Sequence, residues 1–300
     1  ALASLPQVAY IEPNYKVTTS AIVRQQNPPN WGLARISKRK PNVNNYAYDE
    51  RAGAGSYAYI IDTGIYTAHP DFQGRATFGY SAIANQTGDG NGHGTHVAGI
   101  VGSATYGVAK KAQLIAVKVL EDDGTGFTDG VIQGLQWAVS NAQAQGRVKK
   151  SVINLSLAGP KSRALKDATN AAVAAGVFVA VAAGNANALV KGFSPANAKD
   201  ACTVAATDIN DNRADYSNFG KLVDIFAPGT GIVSTWKDGK TATLSGTSMA
   251  SPHVAGLGAY MLSIAAYRTP EEMCKYLKSI ATKGAVKNAG ITKNKLAYNG

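Results

Sequence analysis

From about Ser56 onward, short apolar runs recur along the chain: Tyr57 to Ile61, Leu114 to Leu120, Ser151 to Leu157, Val177 to Ala183, Cys202 to Ala206 and Val223 to Ala227. They are rich in Val and Ile and apolar on both faces, the pattern of parallel strands buried from both sides. Helical spacing lies between several of them. In Thr128 to Gln145 the apolar positions are Val131, Leu135, Ala138, Val139 and Ala142. Leu165, Ala168, Ala172 and Ala175 repeat the pattern, and Gly176 follows where a helix C-terminus favours glycine. Strand and helix in alternation predict an α/β fold: a doubly wound, mostly parallel central sheet with helices on both faces. Near the start, Gln7 to Ile11 reads as a single strand closed by a turn at Glu12-Pro13-Asn14.

Composition narrows the function classes. The chain has 300 residues, 45% of them apolar and 16% charged, which excludes a disordered or collagen-like protein. No apolar run reaches the ~18 residues of a membrane span. Thirty Lys and Arg against nineteen Asp and Glu give a formal charge of +11. The basic residues are scattered, and the densest groups are Lys38-Arg39-Lys40 and Lys149-Lys150. That distribution favours a basic enzyme over a nucleic-acid-binding module. By spacing alone, Cys202 and Cys274 fit either buried free thiols or one disulfide.

Three segments carry chemistry. Asp62, in Ile60-Ile61-Asp62-Thr63-Gly64, follows directly on a buried strand, at the edge where open α/β sheets bind ligands. His93 lies between glycines at the start of an apolar helix. His93 and His96 lack the i, i+4 spacing and intervening Glu of a zinc motif, so His93 reads as a general base. Ser248 stands at the positive end of a buried helix whose first turn is expected to hold Pro252. Asp, His and Ser are the residue types of nucleophilic acyl transfer: the imidazole takes the hydroxyl proton and the carboxylate fixes the imidazole.

The segments IIDTG, NGHGTHVAGIVGS, INLSLAGP, VAVAAGN and SGTSMASPHVAG together resemble the subtilase family. WGLARIS, TYGVAKKAQLIAVKVL and LAYNG are similar to its proteinase K-like branch, in particular to fungal extracellular alkaline serine proteases. The resemblance spans residues 21–300, expected to form a subtilisin-like peptidase domain. It implies a secreted serine endopeptidase, with a vacuolar relative as the alternative. The nucleophile would be Ser248, the base His93 and its orienting partner Asp62. Asn185 and the Ser248 N–H would form the oxyanion hole. Gly124, Thr125 and Gly126 on one side and Ser156, Leu157 and Ala158 on the other would bind extended peptide. The small run Ala182, Ala183 and Gly184 would leave room for a large apolar side chain, giving broad cleavage after aromatic or large aliphatic residues. Ala158 replaces a Gly usual in the family, and Thr128 an aromatic.

The resemblance further implies a Cys202–Cys274 disulfide and one structural Ca²⁺ on Asp224 with the carbonyls of Lys199 and Ala201. Ala285 stands where a second calcium site would need an acid. No cofactor is expected for the chemistry. Residues 1–20 look like the tail of an inhibitory propeptide, cleaved near Ser20, and the absence of an initial Met fits the loss of an upstream segment. Partners are then protein and peptide substrates and the propeptide, with no nucleic acid or membrane and a monomeric state. Asn85-Gln86-Thr87 is a glycosylation sequon, whereas Asn154-Leu155-Ser156 falls in a buried strand.

Overall fold

The computed structural model describes residues 21–264 and 269–300. Residues 1–20, with the expected strand at Gln7 to Ile11, lie outside the described residues. The elements run β1 (Ile22–Gln26), α1 (Trp31–Ile36), β2 (Asn45–Asp49), β3 (Tyr57–Asp62), β4 (Ala76–Ser81), α2 (His93–Gly102), β5 (Gln113–Lys118), α3 (Thr128–Ala144) and β6 (Ser151–Leu155). They continue β7 (Gly159–Pro160), α4 (Arg163–Ala174), β8 (Phe178–Ala182), β9 (Phe193–Ser194), β10 (Cys202–Thr207), β11 (Ile225–Pro228), β12 (Ile232–Thr235) and β13 (Thr241–Leu244). The last are α5 (Thr247–Ile264), α6 (Pro270–Ile280), β14 (Thr282–Lys283) and β15 (Lys295–Leu296).

A sheet of nine strands in the order β14-β15-β11-β10-β8-β6-β3-β5-β4 forms the centre. Every pair from β4 to β15 is parallel and only β14 is antiparallel. The pleat of β3 explains why its run is apolar throughout. Ala58 and Ile60 join a core with Val97 and Ile100 of α2 and Val254 and Leu257 of α5. Tyr59 and Ile61 join the opposite core with Val131 and Leu135 of α3 and Leu165 and Val173 of α4. Both faces are covered, as parallel pairing requires. The chain builds outward from β3 through β4 and β5, then returns to lay β6 on the other side. The order reverses beside β3, and ligands bind outside the carboxyl ends of the strands at such a point.

Three apolar runs overshoot their strands. β5, β6 and β8 end at Lys118, Leu155 and Ala182, and the apolar residues beyond turn off the sheet edge. Leu120 and Leu157 there line a cleft while still packing against the edge of the core. The edge strand β4 had no contiguous apolar run to announce it, since most of it is at least partly exposed and a bulge falls between Phe78 and Tyr80. Pro252 is also placed differently from expectation. It lies inside α5, more than a turn past Thr247. A proline there leaves the carbonyl four residues earlier, that of Ser248, without its helical donor. The Ser156 hydroxyl supplies the missing bond, donating to Ser248 O at 2.7 Å.

Candidate active site

Asp62 ends β3 with no exposed surface. Its Oδ1 lies 2.7 Å from His93 Nδ1 and also accepts the Thr63 N–H at 2.7 Å. A carboxylate only accepts, so Nδ1 carries the proton and the basic lone pair is left on Nε2. His93 opens α2 after Gly92, whose φ of 109° turns the chain into the helix. Gly94 lets α2 approach the strand end: a Cβ there would meet Gly64 O at 2.1 Å. Burial pushes the imidazole pKa down, but the Asp62 charge, its hydrogen bond and the charge of Asp89 outweigh it and leave His93 above its ordinary 6.5.

Asp89 is buried and ties these pieces together. Its Oδ1 accepts from Thr63 Oγ1 at 2.8 Å and Gly92 N at 2.8 Å, and its Oδ2 from Thr95 N at 2.9 Å. Thr63 Oγ1 in turn accepts the Gly94 N–H at 2.9 Å. The fully buried Lys118 donates to Thr63 O and Asp122 Oδ1, both at 2.7 Å, joining the Asp62 strand end to the loop that leads to Gly124.

Ser248 is the second residue of α5. Ser251 Oγ donates to Asn154 Oδ1 at 2.8 Å and Asn154 Nδ2 to Ser156 Oγ at 2.9 Å, which holds the first turn of α5 on β6. His93 and Ser248 face the same cleft of about 950 Å³. The Ser248 hydroxyl is turned toward the Ser156 carbonyl, 3.1 Å away. That hydroxyl hydrogen points away from an imidazole acceptor in this state, and catalytic hydrogen bonds commonly tighten only once substrate is bound.

Asn185 follows β8 on the same cleft. Its Oδ1 accepts from Thr247 N at 2.9 Å and Thr247 Oγ1 at 2.8 Å, so its Nδ2 is directed away from that anchor. A Cβ placed on Gly246 would lie 3.3 Å from Asn185 Nδ2 and 3.6 Å from Ser248 N, so both donors flank one small open space. Asn218 braces the loop: its Nδ2 donates to Ala183 O at 2.8 Å, and its Oδ1 accepts from Ala186 N and Ala188 N at 3.0 Å each.

The sequence profile of the Subtilase family matches residues 53–296. The chain belongs to the subtilase family. Along its full length it is 48% identical to a subtilisin-like protease of Coccidioides posadasii, covering 75% of that protein. It is 47% identical to the cuticle-degrading protease of Metarhizium anisopliae, over 98% of this chain and 76% of the relative. The crystal structure of a cold adapted subtilisin-like serine proteinase matches with a TM-score of 0.86 at 43% identity, over 90% of this chain and 97% of that one. This subtilase is a serine endopeptidase, acting on protein substrates.

Along the cleft of the subtilase, Gly124, Thr125 and Gly126 line one part and Ser156, Leu157 and Ala158 another, with Ala182, Gly184, Gly192 and Phe193 at the wall. Ala183 does not line it. The chain has left the sheet there, and the Ala183 side chain packs into a small core with Val190, Ala196 and Ala205. Phe127 escaped notice in the sequence. It lines the cleft and is 77% exposed, placing an aromatic one residue before Thr128. Asp89, Thr247 and Asn218 were also missed, since they act by holding backbone amides across loops and have no signature spacing.

His96 lies outside the cleft. Its Nε2 lies 3.1 Å from both Ile232 O and Ala242 O, across the β12–β13 hairpin, and burial lowers its pKa to about 4. Cys202 and Cys274 are joined in a disulfide with Cα atoms 5.9 Å apart. Asn85 is exposed, with φ at 59°. Of the expected calcium ligands, Asp224 is already engaged within the chain. Asp224 Oδ1 receives Lys278 Nζ at 2.7 Å and its Oδ2 the Thr203 N–H at 3.1 Å. Ca²⁺ takes 6–8 oxygens, and the two sulfurs closest to this carboxylate are already bonded to each other.

Proposed function

We propose that the chain is a secreted subtilase that cuts proteins broadly after aromatic or large aliphatic residues, through an acyl-enzyme formed on Ser248. The supporting observation is the 2.7 Å contact of buried Asp62 with His93, which opens on the cleft that also carries Ser248 and Asn185. In this reading the Ser248 hydroxyl swings from the Ser156 carbonyl to His93 Nε2. The imidazole takes its proton as Oγ attacks the scissile carbonyl carbon. The resulting oxyanion is held by Asn185 Nδ2 and the Ser248 N–H, donors fixed before substrate arrives. His93 then passes the proton to the departing amine, and a water molecule, activated the same way, releases the acyl group.

The substrate adds as an extended segment between the Gly124–Gly126 and Ser156–Ala158 stretches, where main-chain bonds give breadth. Small residues at Ala182, Gly184 and Gly192 leave space for a large apolar side chain before the scissile bond. Residues 21–300 constitute the peptidase domain, residues 1–20 the end of an inhibitory propeptide, and Asn85 the glycan site. Among the described residues no helix is long and apolar enough to cross a membrane. Peptide-library profiling, with labelling by a serine-directed fluorophosphonate, tests the proposal. It expects label on Ser248 and cleavage after Phe, Tyr, Leu or Met. An unlabelled Ser248, or a strict preference for basic residues, overturns it.

A further inference from the structure

We propose that the ammonium of Lys278 is a resident counter-ion at Asp224, which fastens α6 to the sheet at the position where calcium was expected. Asp224 immediately precedes β11, and Lys278 lies on α6. Their 2.7 Å contact is partly shielded, with the side chains 15% and 21% exposed. Cys274 lies on the same helix one turn earlier, so it and Lys278 share a face. Cys274 is bonded to Cys202 at the start of β10, beside β11. The helix is therefore held at successive turns, first by a covalent link and then by an ionic one.

The surroundings disfavour an added cation. Lys295 has its amine pushed down by burial first, and then by the charges of Lys278, Lys283 and Lys293, with Asp224 opposing them. A calcium ion entering here would meet these positive groups with Asp224 as the carboxylate at hand. It would also have to displace an ammonium that is part of the chain and so is always held at the site. Asp224 is anchored independently of Lys278. Its N–H donates to Thr203 O at 2.9 Å while its Oδ2 accepts the Thr203 N–H, so the carboxylate is aimed before the ammonium arrives.

The test is thermal unfolding of the full chain, with a serine-directed inhibitor present to suppress autolysis, in chelator and in millimolar Ca²⁺. The variants are Lys278→Met, Lys278→Arg, Asp224→Asn and the Lys278→Met, Asp224→Asn double. In chelator, Lys278→Met should lower Tm by about 2–4 °C. Lys278→Arg, which keeps the charge, should recover most of that loss, and the double variant should fall no further than the larger single. Any calcium response of the wild type should be unchanged by Asp224→Asn. A rise of several degrees in calcium that Asp224→Asn abolishes overturns the proposal. So does a Lys278→Met protein as stable as wild type in chelator, or fully additive losses in the double variant.

Discussion

Replacing Ser156 with Ala should destabilise the enzyme, and replacing Pro252 with Ala should reduce that loss. Pro252 has no N–H, so the Ser248 carbonyl depends on the Ser156 hydroxyl at 2.7 Å. The same hydroxyl accepts Asn154 Nδ2 at 2.9 Å, and both Asn154 and Ser156 are buried. Ser156→Ala strands one carbonyl and one amide. At about 1–3 kcal/mol for each buried group left unpaired, the loss is roughly 2–6 kcal/mol. In a Pro252→Ala background the new N–H reaches the Ser248 carbonyl as an ordinary i to i−4 helical bond, so only the amide is stranded. The two changes should therefore couple by about 1–2 kcal/mol, read as about 2–8 °C in Tm at 2–4 °C per kcal/mol. The assay is a double-mutant cycle by thermal or denaturant unfolding of the inhibited enzyme, with kcat measured alongside. Because the carbonyl belongs to the nucleophile's own residue, kcat should fall with Ser156→Ala and partly recover in the double variant. Additive losses, with no recovery in either readout, would refute the account of why this helix tolerates an internal proline.

Activity should rise with pH through a midpoint above 6.5, because Asp62 holds the His93 proton more tightly and catalysis needs Nε2 free; a kcat/KM profile centred below 6.5 would contradict this. Asn185→Ala should lower kcat by about 10–150-fold, the equivalent of one charge-assisted bond of about 1.5–3 kcal/mol, with KM little changed; steady-state kinetics on a peptide substrate check it. Acid should unfold the protein early. Burial lowers both His96 and His253 to about 4, below the 6.5 of an exposed imidazole. Their contribution is thus intact above pH 6.5 and is lost as pH falls toward 4, on the order of 3 kcal/mol each. Unfolding free energies measured across this range that stay flat would remove the argument. Removing the disulfide with Cys202→Ala and Cys274→Ala should cost about 2–5 kcal/mol, visible in denaturant titration and insensitive to added reductant.

The sequence was most informative where local chemistry is compulsory. A strand buried on both faces must be apolar at every position, so β3 and its terminal Asp62 stood out at once. A histidine between glycines and a serine at the head of an apolar helix were equally visible. Asn185 had no such local mark and was reached only through family resemblance. Ala183 was assigned to the pocket by resemblance, as part of the small run Ala182, Ala183 and Gly184, yet the departing chain turns its side chain inward. Asp89 is legible only in three dimensions, since it collects amides from Gly92 and Thr95 and a hydroxyl from Thr63. The Asp224–Lys278 pair, 54 positions apart, likewise leaves no pattern in the chain.

The reversal of strand order beside β3 has a consequence for the order of biosynthesis. Asp62 and His93 precede the proposed nucleophile Ser248, which arrives only with α5, packed beneath strands already laid down on both sides of β3. Under the mechanism proposed above, a growing chain carries a base with nothing to activate until α5 has been made. The groups that meet at the cleft are complete only when α5 joins them, late in the chain and, among the described elements, ahead of only α6, β14 and β15.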